Sequence, residues 1–355
     1  MEKFLIINPF GIGDVLFTTP LIKAIKESRP EACVSYWCNE RVGDIFKNDP
    51  RIDKVFALSR GDLKKIFQRS TAEGLKAFLR LMRGIRRERF NTAIDFSLDQ
   101  RYGLAARLLG IKKRVGLNYK NRGRFLTDKI DLEGYEGRHV IEYYLSLLEF
   151  LNISPKGKAP EIFIPDASKA RAENILSRAG IKKKGIIVGI AAGAGASWGQ
   201  NASYKHWPAI KYAQLADRII KECAAQVVIL GDSSEKPIAD IITATMKNEP
   251  LDLTGKLSLT ELLAVISRLS LLVTNDGGPL HIAVAAGVKT VSIFGPVDST
   301  VYGPYPPSEK HIVIKNDIAC RPCYKKFRMD ICMHDKECIN SISTEEVFAA
   351  VRRQL

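Results

Sequence analysis

Short apolar runs alternate with amphipathic helical patterns along this chain, and the alternation occurs twice. In the first half, residues 4–8, 32–38 and 92–97 are predicted strands and residues 14–28 are a predicted helix. The second half repeats the pattern, with predicted strands at 185–193, 225–232, 251–255, 271–276 and 290–295 and predicted helices at 208–222, 234–247, 259–270 and 279–287. Strands that alternate with helices indicate parallel sheets covered on both faces, so the predicted fold class is α/β.

The chain of 355 residues is long enough for two hydrophobic cores, and a stretch rich in Pro and Lys between residues 152 and 180 separates the halves. We therefore predict two domains, residues 1–165 and 180–340, followed by a helix within residues 343–355. Two such domains facing each other would bring the C-terminal ends of both sheets to one cleft. Open α/β sheets bind ligands at that end, so the functional loops are expected to follow the strands.

The charge of the chain is strongly and unevenly positive. The net charge is +15, residues 60–89 contain ten Lys or Arg against three acids, and residues 112–124 contain six Lys or Arg and no acid. Such a surface attracts phosphate-rich partners, namely nucleic acid, anionic lipid or a phosphorylated glycan. Zinc-finger spacing and RNA-binding aromatic motifs are missing from the sequence, so nucleic acid is not expected among the partners.

The apolar residues are spaced for packing rather than for crossing a membrane. Within the basic stretch, five of them recur at helical spacing and predict an amphipathic helix with its apolar face on the core: Leu75, Phe78, Leu79, Met82 and Ile85. Apolar runs stay well below the ~20 residues that span a bilayer, and the N-terminal residues do not resemble a secretory signal peptide. The sequence therefore predicts a cytosolic protein.

The first loop with distinctive chemistry is Gly11-Ile-Gly13-Asp14, directly after the first predicted strand. A complete dinucleotide-binding fingerprint would need Gly or Ala at position 16, where this chain has Leu16, and a carboxylate would repel a diphosphate. Asp14 is therefore either a cap of the helix that begins here or a general base that takes a proton from a substrate hydroxyl. The glycines would let another molecule approach the backbone closely.

Three further loops follow strands of the second half. Asp276-Gly277-Gly278 opens a helix whose first N–H groups form an anion site, and the carboxylate suits sugar hydroxyls. Lys205 closes a polar loop and could neutralise a leaving diphosphate, while Glu235 could accept both ribose hydroxyls. Each residue also has a purely structural alternative: a capped turn at Asp276, a solvated lysine, a carboxylate at a helix start and, at His281, an ordinary buried histidine.

Four of the seven cysteines are close together in the sequence, at Cys320, Cys323, Cys332 and Cys338. One close pair with two looser cysteines is compatible with a structural metal site, with a redox pair or with buried thiols. The other three cysteines are scattered and are predicted to be reduced thiols.

Taken in order, these loops resemble one family, the bacterial ADP-heptose:lipopolysaccharide heptosyltransferases of glycosyltransferase family nine. The resemblance covers essentially the whole chain, and its most specific pieces are TNDGGPLHIAVAAGVKTVSIFGPVD and GIGDVLFTTPLIKAI. Other matching pieces are HVIEYYLSLLEFLNI, GASWGQNASYKHWP, LGDSSE and LTGKLSLTELLAVI. The resemblance implies a GT-B fold, with two Rossmann-like domains whose parallel sheets face each other across a cleft. Because the last helix of GT-B folds commonly crosses over, residues 343–355 are a candidate for packing back on the first domain.

The resemblance also implies a role for each loop residue. Asp14, next to Gly13, would be the catalytic base, and Lys205 would bind the donor diphosphate. Further donor contacts would come from Glu235 at the ribose, Leu257 at the adenine face, Asp276, Gly277 and Gly278 at the phosphate and heptose, and His281 beside them. The implied reaction is a single inverting displacement that expels ADP and needs neither a catalytic metal nor a cofactor.

The implied acceptor is a phosphorylated lipid A–Kdo or inner-core glycan, reached by a peripheral protein at the cytosolic face of the cytoplasmic membrane. The basic first domain suits this acceptor and an anionic membrane surface, through Arg122, Arg124 and the helix around residues 80–89. Two alternatives stay open at this point. One is a transferase that uses another nucleotide sugar, or a protein or different glycan as acceptor, and the other is a non-catalytic member that binds phosphoglycan or nucleic acid.

Overall fold

A computed structural model describes residues 1–182 and 185–355 of the chain. It divides the chain into two compact units, Met1–Phe163 and Ile164–Leu355. In the part of the chain that is described, no helix combines the length and the apolar character needed to cross a membrane.

The first unit is built on one parallel sheet. Its strands are β1 (Lys3–Ile7), β2 (Cys33–Cys38), β3 (Lys54–Ala57), β4 (Thr92–Asp95), β5 (Lys113–Tyr119) and β6 (Asp128–Leu132). Its helices are α1 (Ile12–Leu16), α2 (Thr19–Ser28), α3 (Arg60–Arg69), α4 (Thr71–Glu88), α5 (Gln100–Leu108) and α6 (Val140–Ser146), with 3₁₀ segments at Glu40–Ile45 and Leu147–Leu151. The strands pair in the order β3-β2-β1-β4-β5-β6, every pair in parallel.

The second unit repeats this plan. Its main strands are β7 (Ile187–Ala191), β8 (Gln226–Ile229), β9 (Leu251–Asp252), β10 (Leu271–Asn275), β11 (Lys289–Phe294) and β12 (His311–Lys315), paired in parallel as β12-β11-β10-β7-β8-β9. Its helices are α7 (Asp166–Arg178), α8 (Ala209–Cys223), α9 (Lys236–Thr245), α10 (Leu259–Ile266), α11 (Gly278–Ala285), α12 (Ser299–Tyr302), α13 (Glu337–Asn340) and α14 (Thr344–Gln354). There are 3₁₀ segments at Ala196–Lys205 and Ser233–Glu235, and β13 (Tyr324–Lys325) pairs antiparallel with β14 (Arg328–Met329).

Both sheets reverse their strand order at the centre. The first strand of each, β1 or β7, lies between the second and the fourth, so the chain leaves the two central strands in opposite directions. This reversal opens a crevice at the C-terminal ends of those strands, which is where open α/β sheets bind ligands. Asp14, in α1, follows β1, and Asp276 follows β10, so each lies shortly after a strand at such a crevice.

The predicted helix 14–28 is interrupted in the structure, where α1 ends at Leu16 and α2 begins at Thr19. Pro20 has no N–H to offer the carbonyl of Leu16, and the hydroxyl of Thr19 donates to that carbonyl instead, at 2.7 Å. The hydroxyl of Thr18 donates in the same way to the carbonyl of Val15, at 2.6 Å. Proline ends the first helix and the two threonines satisfy its last carbonyls, which separates a short helix carrying Asp14 from the longer α2.

The final helix, α14, belongs to the second unit. Val347, Phe348 and Val351 are buried in the same core cluster as residues of α8, and the ammonium group of Lys289 donates to the carbonyl of Gln354 at 2.6 Å. Its apolar face packs on α8 and β11 of that unit. Packing of the helix on the first domain stays a prediction.

The apolar face of α4 is only partly covered, which corrects the expectation that all of it packs on the core. Leu81 and Ile85 are buried with Phe56 and Phe90 in the core of the first unit. The residues nearer the start of the helix are exposed: Leu75, Phe78 and Leu79. Periodicity predicted the amphipathic helix, but only the C-terminal half of α4 packs on the core, so its N-terminal half has an exposed apolar strip.

Asp95, at the end of β4, is a buried carboxyl group whose protonation should affect stability. It accepts a hydrogen bond from the Ser97 backbone N–H at 2.8 Å, and burial raises its pKa to about 6. Because the folded pKa lies above the unfolded value of about 4, folding favours the protonated form. The contribution of protonated Asp95 to the free energy of unfolding is therefore fully present below about pH 4, and it is lost as the pH rises through about 6.

We expect Asp95→Asn to raise the free energy of unfolding at pH 7.5 by about 1–3 kcal/mol, because the amide removes a charge that burial disfavours. At pH 4 the substitution should have little effect. Urea unfolding at the two pH values measures the difference, and Asp128→Asn, at a half-buried position, is the matched control. An equal effect of Asp95→Asn at both pH values would contradict the prediction.

Candidate active site

The loop that carries Asp14 is fixed by Asn8, the buried residue that follows β1. The side-chain nitrogen of Asn8 donates to the backbone carbonyl of Asp14 at 3.0 Å, and its oxygen accepts from the N–H of Phe10 at 3.2 Å. Gly11 is the N-cap of α1, and Asp14 is the third residue of the helix. Asp14 is therefore not the N-cap residue. Its half-buried side chain lies in the first turn, where the helix dipole favours a negative charge.

Two buried tyrosines lie near the carboxylate of Asp14. Burial raises the pKa values of Tyr36 and Tyr144 well above the usual range, and the negative charge of Asp14 raises both further. The Tyr36 hydroxyl is 2.9 Å from the hydroxyl of Thr18, so this phenol is anchored to the turn that follows α1. Sequence reasoning did not single out either tyrosine, although Tyr144 lies within the matching piece HVIEYYLSLLEFLNI.

In the second unit, Asn275 holds together the loops that follow β7 and β10. Its side-chain oxygen accepts from the N–H of Trp207 at 3.2 Å and from the hydroxyl of Tyr212 at 2.9 Å. Its side-chain nitrogen donates to the carbonyls of Ala192 and Gly193. Because all these groups are buried, the end of β10 is fixed relative to β7 immediately before the Asp276 loop.

Gly277 is the N-cap of α11 and has no side chain to cap the helix. Its backbone is extended, with φ of −174°, and an added Cβ would be at an ordinary 3.5 Å from Ala194. Neither the backbone conformation nor the neighbouring chain therefore requires glycine here. A helix start without a side-chain cap is well suited to an anion that approaches the backbone.

Lys205 and Asp276 form a buried ion pair beside this helix start. The lysine Nζ is 2.6 Å from Oδ2 of Asp276, and the two side chains are only 3% and 7% exposed. The same Nζ lies 3.8 Å from the centre of the Trp198 ring. The structure thus brings the two residues together, which their separation in the sequence did not reveal.

His281, on α11, completes this group of residues. Its Nε2 is 4.0 Å from Oδ1 of Asp276. Burial, together with the positive charge of Lys205, lowers the pKa of His281 to about 3, so the imidazole is neutral at physiological pH. A neutral imidazole can donate or accept a hydrogen bond but adds no charge to the site.

Glu235 links the loops that follow β7 and β8. Its Oε1 accepts from the N–H of Gly195 at 3.0 Å and its Oε2 from the N–H of Asp232 at 2.9 Å, the second bond being part of a capping box. Burial raises the pKa of Glu235, and its backbone hydrogen bonds oppose that effect. Leu257 lies half-buried in the loop between β9 and α10. The binding of ribose by Glu235 and of adenine by Leu257 remain predictions.

The model of glycosyltransferase family 9 (heptosyltransferase) matches residues 78–333 of the chain. This chain belongs to glycosyltransferase family 9. The match begins after the Asp14 loop and includes Lys205, Glu235 and Asp276, so the assignment does not depend on the residue predicted to be the base.

Named relatives of this family 9 member are distant but match most of its length. Lipopolysaccharide heptosyltransferase 3 of Escherichia coli is 23% identical over 297 residues, which are 82% of this chain and 83% of the relative. A solved glycosyltransferase family 9 structure from Veillonella parvula has a TM-score of 0.82 at 22% identity and covers 99% of this chain and 97% of its own. The structure of E. coli ADP-heptose lipopolysaccharide heptosyltransferase II has a TM-score of 0.78 at 20% identity, with 99% and 98% covered.

The two parallel sheets of this family 9 member are the two Rossmann-like sheets of the GT-B fold. The chain is thus a glycosyltransferase of the heptosyltransferase family that builds the lipopolysaccharide core. The predicted fold class and the resemblance stated from the sequence are confirmed.

The four clustered cysteines of this transferase line one small cavity of the second unit, together with His334. The thiol of Cys323 donates to the carbonyl of Cys320 at 3.3 Å, and the N–H of Lys336 donates to the sulfur of Cys332 at 3.2 Å. All four are free thiols, and burial raises the pKa of Cys338 to about 11. Among the residues described, no three His, Cys, Asp or Glu side chains are placed to hold a metal ion. Cys338 is buried, and Cys320, Cys323 and Cys332 are half-buried.

We expect Lys205→Met to destabilise this transferase by about 3–5 kcal/mol, because it leaves the carboxylate of Asp276 buried without its partner. The double variant Lys205→Met/Asp276→Asn removes both charges and should recover much of that loss. Urea unfolding of the wild type, the two single variants and the double variant gives the coupling energy. If the two single effects simply add, the coupling energy is zero, and the ion pair does not stabilise the protein.

Proposed function

We propose that this protein transfers a heptose from an ADP-heptose donor to the inner core of lipopolysaccharide, with inversion at the anomeric carbon and with Asp14 as the general base. The observation that carries the proposal is the distribution of charge between the segments that follow the central strands of the two sheets. The carboxylate of Asp14, in the first turn of α1, follows β1, while a buried lysine and an uncapped helix start follow the strands of the second sheet. The first arrangement suits an acceptor hydroxyl and the second suits a leaving nucleotide.

In the proposed step, Asp14 takes the proton of an acceptor hydroxyl as the oxygen attacks the anomeric carbon of the donor. The bond from that carbon to the β-phosphate oxygen breaks, and ADP leaves with the electron pair. Negative charge develops on the leaving phosphate and is stabilised by the N–H groups of Gly277 and Gly278 and by the ammonium group of Lys205. Each group thus acts on charge that appears or disappears during the reaction.

The donor site is proposed from the residues that converge in the second unit. Glu235 would accept the ribose hydroxyls, Leu257 would contact the adenine, Asp276 would accept heptose hydroxyls, and the neutral His281 would lie beside them. The ion pair supports this assignment because Lys205 neutralises Asp276, so the carboxylate no longer opposes a nearby phosphate. Glu235 already accepts three hydrogen bonds from backbone N–H groups, so few acceptor positions of its carboxylate are left for the ribose hydroxyls.

The proposed acceptor is a phosphorylated lipid A–Kdo or inner-core glycan, met at the cytosolic face of the membrane. Exposed cations in the loop after β5 suit its phosphates: the Arg122 guanidinium lies 5.7 Å from the ring centre of Tyr119, and that of Arg124 lies 4.6 Å from the ring centre of Phe125. An aromatic ring holds a guanidinium in place without neutralising its charge, so both cations stay available to an anion.

We expect Asp14→Asn to lower kcat by about 10²–10⁴-fold, because the amide cannot accept the proton, with a much smaller change in the KM for the donor. The measurement is ADP release from ADP-heptose with and without a lipid A–Kdo acceptor. Asp44→Asn, at an exposed carboxylate of the same unit, is the matched control.

The same assay separates the proposal from its alternatives. Acceptor-dependent ADP release that is lost in Asp14→Asn supports it. Release only with other nucleotide sugars would indicate a different donor, and no release with any donor would indicate a non-catalytic member. Full activity of Asp14→Asn would exclude Asp14 as the base.

A further inference from the structure

An uncovered apolar strip lies along the N-terminal half of α4. Leu75 is 51% exposed, and Phe78 and Leu79 are each 39% exposed. Spacings of three and four residues place the three side chains on one side of the helix. Phe67 of α3 is also 39% exposed. Large apolar side chains exposed together in this way indicate a surface that meets an apolar partner.

The strip is held on a well-anchored hairpin of two helices. Ser59 and Asp62 form a capping box at the start of α3, and the hydroxyl of Ser70 accepts from the N–H of Glu73 at the start of α4. A Cβ on Gly74 would lie 2.5 Å from the ring of Phe67, so α3 packs directly against the backbone of α4. Because the other end of α4 is buried in the core, the exposed residues are presented by a fixed element rather than by a loose loop.

Exposed cations border the strip. Leu79 is followed one turn later by Arg83 and two turns later by Arg86, on the same side of the helix. The remaining cations of α4 are Lys76, Arg80 and Arg87, and no ion pair involves any of these five side chains among the residues that the structure describes. The helix therefore presents apolar side chains next to positive charges that are not neutralised by the protein.

We propose that this α3–α4 hairpin docks the protein on the surface of an anionic phospholipid bilayer, with Leu75, Phe78 and Leu79 inserted between the head groups. An apolar strip bordered by Lys and Arg is the arrangement by which interfacial helices bind anionic lipid. A phosphorylated glycan or a nucleic acid would pair with the cations but would leave the apolar strip in water. The inference rests on the proposed function, because the proposed acceptor is a membrane glycolipid, and it names the surface at which the enzyme meets it.

The test measures binding of the full-length protein to vesicles by flotation. One set of vesicles is phosphatidylcholine alone, and the other contains about 30 mol% phosphatidylglycerol. We expect binding to the anionic vesicles to be at least about tenfold tighter and to weaken in high salt. The variant Leu75→Gln/Phe78→Gln/Leu79→Gln should lose at least about tenfold of that binding. The variant Ile210→Gln/Ile241→Gln, which changes two exposed isoleucines on α8 and α9, is the matched control.

Two further measurements keep the outcomes distinct. Thermal unfolding should be nearly the same for the triple variant and the wild type, since the side chains are exposed. The rate of ADP release with a delipidated phosphorylated acceptor should also be the same for the triple variant and the wild type. If the wild type releases no ADP in that assay, the proposed function is wrong, but the vesicle measurements still test the docking surface. Equal binding of the triple variant and the wild type to anionic vesicles would overturn the docking surface. So would a dimer of the wild type in sedimentation that the triple variant does not form, because the strip would then join two copies.

Discussion

The reversal of strand order at the centre of each sheet is the constraint on which the rest of this structure depends. With β1 between β2 and β4, and β7 between β8 and β10, the chain must leave neighbouring central strands towards opposite faces. The loops at those strand ends cannot cover one another, and the space between them is open to a ligand. The two sheets share this order, yet the segments that follow their central strands carry different charged groups.

That difference is visible in how each loop handles charge. In the first unit, the Asp14 carboxylate lies near two phenols that burial keeps neutral. In the second unit, the negative charge of Asp276 is matched by Lys205 at 2.6 Å, and the bare start of α11 adds partial positive charge. One repeated architecture thus carries different charge at the corresponding end of each sheet, which is the basis of the proposed division between acceptor and nucleotide.

The sequence alone predicted the α/β class and the central strands because those strands are continuous apolar runs. Strands β3, β5, β6 and β12 were missed: the first three begin with charged residues, and β6 alternates between half-buried and exposed positions at the edge of the sheet. Periodicity also placed α4 correctly but could not tell which apolar residues meet the core. The loops of the site were found through glycines, carboxylates and a family resemblance. The Lys205–Asp276 pair could not be found in this way, because only the fold brings two loops so distant in sequence together.

The contact between Gly193 and Glu235 restricts how this enzyme can change in evolution. A Cβ at position 193 would overlap the carboxylate of Glu235, so alanine there would require that side chain to turn away. Turning it away would break the hydrogen bonds that its oxygens accept from the N–H groups of Gly195 and Asp232. A side chain at 193 would thus disturb the loops after β7 and β8, so we expect substitutions at 193 and 235 to occur together in descendants of this chain.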